Sequence, residues 1–569
     1  MYSTSTAFLE ALHEAGVSYI FANFGSDHPG LIEALAEARA TGRAVPSVIT
    51  CPNEMVALSC AQGYAQLTGL AQAVVVHVDC GTQALAGAVH NVARARTPVF
   101  IFAGQSPFTQ EGEAMGSRNE FIQWLQDGRD QRGIMRGYVK YDNELRTGLN
   151  VKQVVHRALQ IARSDPKGPV YLVGAREVME AETQPVAIDR AQWQPVAPVP
   201  LAAEGVTSLV DALASARRPL IVTSYLGRNP EAVPELVRLC GHLGVGVLES
   251  APSFMNFPAD DPLYLGSQWN HPVQNPDLAE ADCVLVIDSD VPWIPTVSRP
   301  RADAAIFHID VDPLKPSIPL WYIKARRSFQ ADAATALRQM NAVLDTRRPE
   351  AARIEERKRH YAERHRLRVR ELARREAVSD GAITPEFLTA CVRRHVGEEA
   401  LVLNEGITNY PAICDHIAKS RPGTMFASGG SSLGWNGGAA IGMKLAAPER
   451  MIVSLTGDGS YMFSVPSTVH WMARQYRTPF LQIVYNNRGW KAPRFSTLAV
   501  HPEGYASRAN DLGLNFDPPP DYAAIAAAAG GAHAQTVKHP EEVEPALADA
   551  LRVVREEGRC AVIDAFLAI

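Results

Sequence analysis

Short apolar runs alternate along this chain with longer stretches whose apolar residues recur at helical spacing. In the first third the runs are Tyr19 to Ala22, Ala73 to Val78, Val99 to Ala103 and Val170 to Val173, each too short for an ordinary helix. They lack the in-and-out alternation of half-exposed strands, so they read as strands covered on both faces, which means a parallel sheet with helices above and below. Ile221 to Thr223, Val284 to Ile287 and Ile306 to Ile309 repeat the theme, and Leu401 to Leu403, Ile452 to Thr456 and Leu481 to Tyr485 repeat it again. The expected fold is α/β, with three doubly wound parallel-sheet domains at 1–183, 200–345 and 383–569. A Pro/Gln/Val-rich stretch from Gln184 to Pro200 joins the first two. A charged stretch over 349–377 leads to the third, and its mixed charges predict a solvated spacer helix.

Composition narrows the class. A chain of 569 residues, 46% hydrophobic, is too long for one core and agrees with about three domains. A net charge of −6 and a pI near 6.3 leave no footprint for nucleic acid or an anionic membrane, so the expected partner is a small molecule. Eight cysteines without a C-x-x-C pair indicate neither a zinc knuckle nor a disulfide framework. The opening MYSTSTAFLEALHEAGVSYIF has no basic n-region or continuous apolar run, and no segment approaches a membrane span, so a cytoplasmic enzyme is expected.

The candidate chemistry is concentrated near the C-terminus. Ile452 to Thr456 runs into Gly457-Asp458-Gly459-Ser460, where the glycines allow a sharp turn and leave Asp458 free to hold a metal. Leu481 to Tyr485 runs into Asn486-Asn487-Arg488-Gly489, where Asn487 and the carbonyl of Gly489 offer further oxygens. Hard oxygen ligands in small number suit Mg²⁺ bridging to a diphosphate. A lone Gly-Asp-Gly is also an ordinary turn. Its context includes Asn404-Glu405-Gly406, Ser431-Ser432-Leu433-Gly434-Trp435 leading into GGAAIG and, at the other end of the chain, Asn53-Glu54-Met55 before a helix ending Gln62-Gly63-Tyr64-Ala65.

Together these segments resemble the thiamine diphosphate enzymes of the acetolactate synthase and benzoylformate decarboxylase type, over essentially the whole chain. The resemblance implies a pyrimidine-binding domain, a middle domain and a pyrophosphate-binding domain in that order. It makes Glu54 the catalytic carboxylate, hydrogen-bonded to N1′ of the aminopyrimidine, and Leu433 the prop that keeps the cofactor bent. Thr408, Asn409, Ser431, Gly457, Gly459 and Ser460 join Glu54, Leu433, Asp458, Asn487 and Gly489 as cofactor-binding residues. Asp458, Asn487 and Gly489 form the metal set. The close-packed helix after Glu54 predicts a buried carboxyl with a raised pKa.

Phe21-Ala22-Asn23-Phe24-Gly25-Ser26 resembles the loop of benzoylformate decarboxylase whose serine contacts the substrate carboxylate, which gives Ser26 that role. His77 matches an active-site histidine of the same enzyme and is expected to relay protons. The chain departs from benzoylformate decarboxylase in lacking a middle-domain histidine after Val284 to Ile287, where Asp290, Pro292, Trp293 and Pro295 stand. It also lacks the His-His pair of pyruvate decarboxylases after Val99 to Ala103, so pyruvate to acetaldehyde is not expected. His28 and His271 read as loop or surface histidines. Glu111 to Gly133, with Trp124, Arg129 and Arg132, and the post-motif stretch from Trp490 through Arg494 to Pro520 read as pocket-shaping loops. Trp435 and Trp490 would suit an apolar or aromatic substrate or else serve as packing anchors at the subunit interface, and Arg494 would suit a carboxylate. The first middle-domain strand runs into Thr223-Ser224-Tyr225-Leu226-Gly227-Arg228-Asn229, without a Gly-x-Gly-x-x-Gly turn, so FAD is not expected.

The implied activity is decarboxylation of a 2-oxo acid, carboligation through an enamine intermediate, or both. A 2-hydroxyacyl-coenzyme A lyase is the alternative, and a non-catalytic thiamine-binding relative is the reading from another class. Because the family shares active sites between subunits, a homodimer or homotetramer is implied.

Overall fold

A computed structural model of the chain describes residues 2–270, 273–347, 349–378, 381–509 and 512–568. Three six-stranded sheets organise it. The first contains β1 (Tyr19–Ala22), β2 (Ser47–Thr50), β3 (Gln72–Val76), β4 (Val99–Gln105), β5 (Tyr141–Leu145) and β6 (Val170–Ala175), in the order β2-β1-β3-β4-β6-β5. The second contains β7 (Pro219–Thr223), β8 (Gly246–Ser250), β9 (Tyr264–Gln268), β10 (Cys283–Ile287), β11 (Ala305–Asp310) and β12 (Arg327–Gln330), in the order β12-β11-β10-β7-β8-β9. The third contains β13 (Leu401–Glu405), β14 (Met425–Phe426), β15 (Ile452–Gly457), β16 (Leu481–Asn486), β17 (His533–Val537) and β18 (Ala561–Phe566). The strands pair in parallel, and the central ones are fully buried, as their uninterrupted apolar runs require.

The chain divides into two compact units, one comprising Met1–Val196, Ser428–Thr536 and Asp549–Asp564, the other Ala197–Ala427, Val537–Ala548 and Ala565–Ile569. In the first unit the helix Glu54–Thr68 lies directly on the helix Trp435–Ala446. Small residues make that approach possible. A Cβ on Gly63 would come 2.4 Å from the Ala439 carbonyl oxygen, and one on Gly442 2.0 Å from that of Cys60. The Ala/Gly pattern after Glu54 is thus a backbone-to-backbone contact surface.

In the second unit the charged stretch forms the helix Ala351–Arg375, exposed over most of its length but anchored at Arg357 and Tyr361. Arg357 is fully buried and donates to the carbonyls of Leu213, Ala214, Ala216 and Leu243, at the C-terminal ends of the helices Ala203–Ser215 and Ala232–Leu243. Tyr361, also buried, donates to the Pro219 carbonyl at 2.7 Å. A guanidinium can satisfy several orphan helix-end carbonyls at once, so a charged residue becomes an anchor. Among the described residues no helix is long and apolar enough to cross a membrane.

Candidate active site

The order of the first sheet reverses at β1, with β2 on one side and β3 on the other. A doubly wound sheet opens a crevice at the carboxyl ends of its strands at such a switch point. There β1 runs out into Asn23 to His28, β2 into Cys51 to Glu54, and β3 into His77.

Glu54 begins its helix, whose N-terminus is capped by Asn53 Oδ1 accepting from the Val56 N–H at 3.1 Å. Asn23 Nδ2 donates to Glu54 Oε1 at 2.8 Å, which aims the carboxylate. A Cβ on Gly81 would reach to 3.3 Å from the same oxygen, so the glycine keeps space beside it. Glu54 is half-buried and not the buried carboxyl that the helix pattern predicts, because it stands at the crevice mouth while burial starts at Val56.

His77 is held from both ring nitrogens. Nδ1 lies 2.5 Å from Asp27 Oδ1, and Nε2 lies 2.7 Å from Gln126 Oε1. The hydrogen bond to Asp27 raises the His77 pKa despite partial burial. Asp27 is 2% exposed; burial alone would push its pKa up, but the His28 and His77 imidazoles outweigh that and hold the carboxyl below its ordinary range. Ser26 Oγ, buried, makes no hydrogen bond, while the Ser26 carbonyl accepts from Arg176 at 3.1 Å. His28 is not a surface histidine. It is 1% exposed, tucked beneath the turn with its Nδ1 3.0 Å from both the Gly25 nitrogen and Asp27 Oδ1. His271 lies outside the described residues.

The second group stands where β15 and β16 run side by side, with Gly457 opposite Tyr485. Asp458 is 2% exposed and accepts from the Gly459 N–H at 2.8 Å and the Gly489 N–H at 3.0 Å. Burial raises its pKa, with those N–H groups opposing. The turn that carries Asn487 relies on Gly489, whose φ of +141° suits glycine. Ser460 Oγ is buried without a hydrogen bond. Ser431 (φ +61°) and the half-buried Leu433 lead into Gly434 in the same unit. Thr408 and Asn409 belong to the turn Ile407–Asn409 in the other unit.

These residues fit a diphosphate-bound Mg²⁺. Among the described residues no ion pair reaches the buried Asp458 carboxylate, so a cation would supply the missing charge, with the Asn487 side chain and the Gly489 carbonyl as the remaining oxygen donors.

Several sequence expectations do not survive. Trp435 is 1% exposed and is core, so it lines no pocket. Trp490 packs on Gly459, where a Cβ would meet its ring at 2.2 Å, with Phe463 and Phe516 edge-on. It is a packing anchor. The post-motif stretch is not a long loop but carries the helices Lys491–Val500 and Tyr505–Arg508, with Arg494 half-buried. Asn23, Asp27 and Gln126 were not singled out by sequence. Asn23 and Asp27 flank Ser26 in the turn after β1, and that proximity was the available signal.

Comparison with known proteins agrees with this architecture. Family models of the thiamine pyrophosphate enzymes match the N-terminal TPP-binding domain at residues 3–134, the central domain at 206–340 and the C-terminal TPP-binding domain at 406–565. The chain belongs to the thiamine pyrophosphate enzyme family. Among its relatives, a benzoylformate decarboxylase of Pseudomonas aeruginosa is 24% identical over 98% of both chains. A probable acetolactate synthase large subunit of Methanocaldococcus jannaschii is 22% identical over 96% of this chain and 89% of its own. The solved structure of a thiamine diphosphate-dependent 4-hydroxybenzoylformate decarboxylase from Rhodococcus jostii superposes with a TM-score of 0.79 at 21% identity, covering 100% of this chain and 99% of that one, a likeness of fold.

Proposed function

We propose that this chain is a thiamine diphosphate- and Mg²⁺-dependent enzyme that decarboxylates a 2-oxo acid, the same site being suited to carboligation. The observation that carries the reading is the convergence on one switch-point crevice of Glu54, oriented by Asn23, with His77 and the unbonded hydroxyl of Ser26. When bound, the cofactor supplies the nucleophilic carbon and the electron sink. Glu54 holds a proton at N1′ of the aminopyrimidine, Ser26 Oγ receives the substrate carboxylate, and His77 Nε2 delivers a proton to the product carbon. A proton donor fixed in the crevice favours aldehyde release over attack on a second carbonyl. Asp458, Asn487 and Gly489 would hold the metal, and Thr408, Asn409, Ser431, Leu433, Gly457, Gly459 and Ser460 would line the rest of the cofactor site. The three domains would span 1–183, 200–345 and 383–569.

A homodimer or homotetramer with shared sites is part of the proposal. Within one chain no hydrogen bond or ion pair joins Glu54 to Asp458 among the described residues, and Phe121, Leu125, Phe495 and Tyr505 stand exposed on segments of the same unit. Activity per chain should fall on dilution below the dissociation constant of the dimer; a fully active monomer would contradict the shared site.

The test of the reaction is CO₂ release with added thiamine diphosphate and Mg²⁺ across aromatic, branched and aliphatic 2-oxo acids. Release that is lost in Glu54→Gln supports the reading, with product analysis separating aldehyde from hydroxyketone. No release from any acid removes it.

A further inference from the structure

Asp27 has no part in the reaction proposed above, yet its surroundings are shaped to it. Its carboxylate lies 2.5 Å from His77 Nδ1 and 3.0 Å from His28 Nδ1 through Oδ1, and accepts the Val78 N–H at 3.0 Å through Oδ2. Two glycines make room. A Cβ on Gly104, the neighbour on β4, would fall 1.9 Å from Asp27 Oδ2, and a Cβ on Gly25 would fall 2.0 Å from His77 Nδ1. Val78 has a φ of +26°, a strained value for a β-branched residue, and its N–H is the one Asp27 takes. Asp27 therefore ties the end of β1 to the end of β3 and fixes the turn on which His77 stands.

An imidazole nitrogen facing a carboxylate at 2.5 Å is a donor, which fixes the ring's orientation and leaves Nε2 as its working atom. With the Gln126 amide oriented so that Oε1 faces Nε2 at 2.7 Å, the ring donates from both nitrogens. We infer that Asp27 is the positioning residue for His77, holding its ring as a proton donor through Nε2, with Gln126 Oε1 as the resting partner that a substrate oxygen replaces. The inference rests on the proposed function for what the donor does, whereas the clamp itself is independent of it.

The charged and titratable groups near His77 are Asp27 and His28 in the turn after β1, and Asp79 on its own helix. Asp127, paired with Arg118 at 2.5 Å, adjoins Gln126, and Arg176 bonds the Ser26 carbonyl. Of these, Asp27 is the one hydrogen-bonded to the ring.

The test follows the His77 ring directly by NMR of protein labelled with ¹³C-histidine, the resonance being assigned with His77→Asn. In the unaltered protein His77 should titrate above the ordinary 6.5, and Asp27→Asn should bring the midpoint down by about one unit or more. In steady-state assays Asp27→Asn should lower kcat about tenfold to a hundredfold with little change in KM. It should cost nothing further in a His77→Asn background, as expected of residues that act as one unit. A His77 midpoint at or below 6.5 in the unaltered protein would overturn the inference even if Asp27→Asn failed to fold. So would an unmoved midpoint in that variant, or an equal loss of kcat in both backgrounds. If no 2-oxo acid is turned over, the proposed function fails while the titration still decides the clamp.

Discussion

The main-chain N–H of Gly489 donates to Asp458 Oδ2 at 3.0 Å, so the loop after β16 is pinned to the end of β15 through the carboxylate expected to hold the metal. Burial of that carboxylate makes the site sensitive to protonation. The folded-state pKa of Asp458 is raised, so its contribution to stability is full below the unfolded value of 3.8 and is lost as pH rises through the folded value. A bound cation reverses that loss. Mg²⁺ with thiamine diphosphate should therefore raise Tm more at neutral than at acid pH, the stabilisation at a hundredfold excess over Kd being about 2.7 kcal/mol. Asp458→Asn should abolish the pH-dependent part, and thermal scans across pH check it.

Gly442 and Cys60 provide a test of the helix pair behind Glu54. Gly442→Ala places a methyl 2.0 Å from the Cys60 carbonyl oxygen, with backbone on both sides and nothing flexible to yield. A loss of about 1–3 kcal/mol in urea unfolding is expected, accompanied by weaker cofactor retention. Unchanged stability would mean that the helices separate without cost.

Arg357 should behave as a structural residue although it lies in a charged run. Arg357→Met removes the donor to the four carbonyls at the ends of two helices, and should cost about 3 kcal/mol or more. Arg357→Lys should rescue little, because one ammonium does not reproduce the planar fork.

His470 gives a second pH dependence of opposite sign to that of Asp458. It is 1% exposed, stacked on Phe480 with centroids 5.8 Å apart, and burial lowers its pKa from 6.5 to about 4. The unfolded chain therefore binds a proton that the folded chain refuses between those values, so stability falls as pH drops below 6.5 and levels off near 4. The full effect is about 3 kcal/mol, and His470→Gln should flatten that part of the stability curve.

Most interior strands were legible because a strand covered on both faces must be largely apolar, as in Cys283–Ile287 and Ile452–Gly457, whereas Gly246–Ser250 and Ala561–Phe566, which carry Glu249 and Asp564, were not read. The edge strands were not. Tyr141–Leu145 and Arg327–Gln330 each pair on one side only and carry charged residues that read as loop. The nearness of Asp458 and Gly489 was readable from local spacing, since both stand at the ends of adjacent strands. Asp27 was not, because its partners His77, Val78 and Gly104 come from other strands and meet only through sheet order. Arg357 and Trp435 misled for one reason: composition reports how polar or aromatic a residue is, while its neighbours decide whether it is satisfied in the core.

The central claim is that Glu54 activates the cofactor, and it is tested without any substrate by the rate at which the C2 proton of enzyme-bound thiamine diphosphate exchanges with D₂O, read by quenched-flow NMR. The account predicts that Glu54→Gln binds the cofactor but slows this exchange by about a hundredfold or more. Equal exchange rates in the unaltered protein and the variant, with cofactor bound to both, would contradict it.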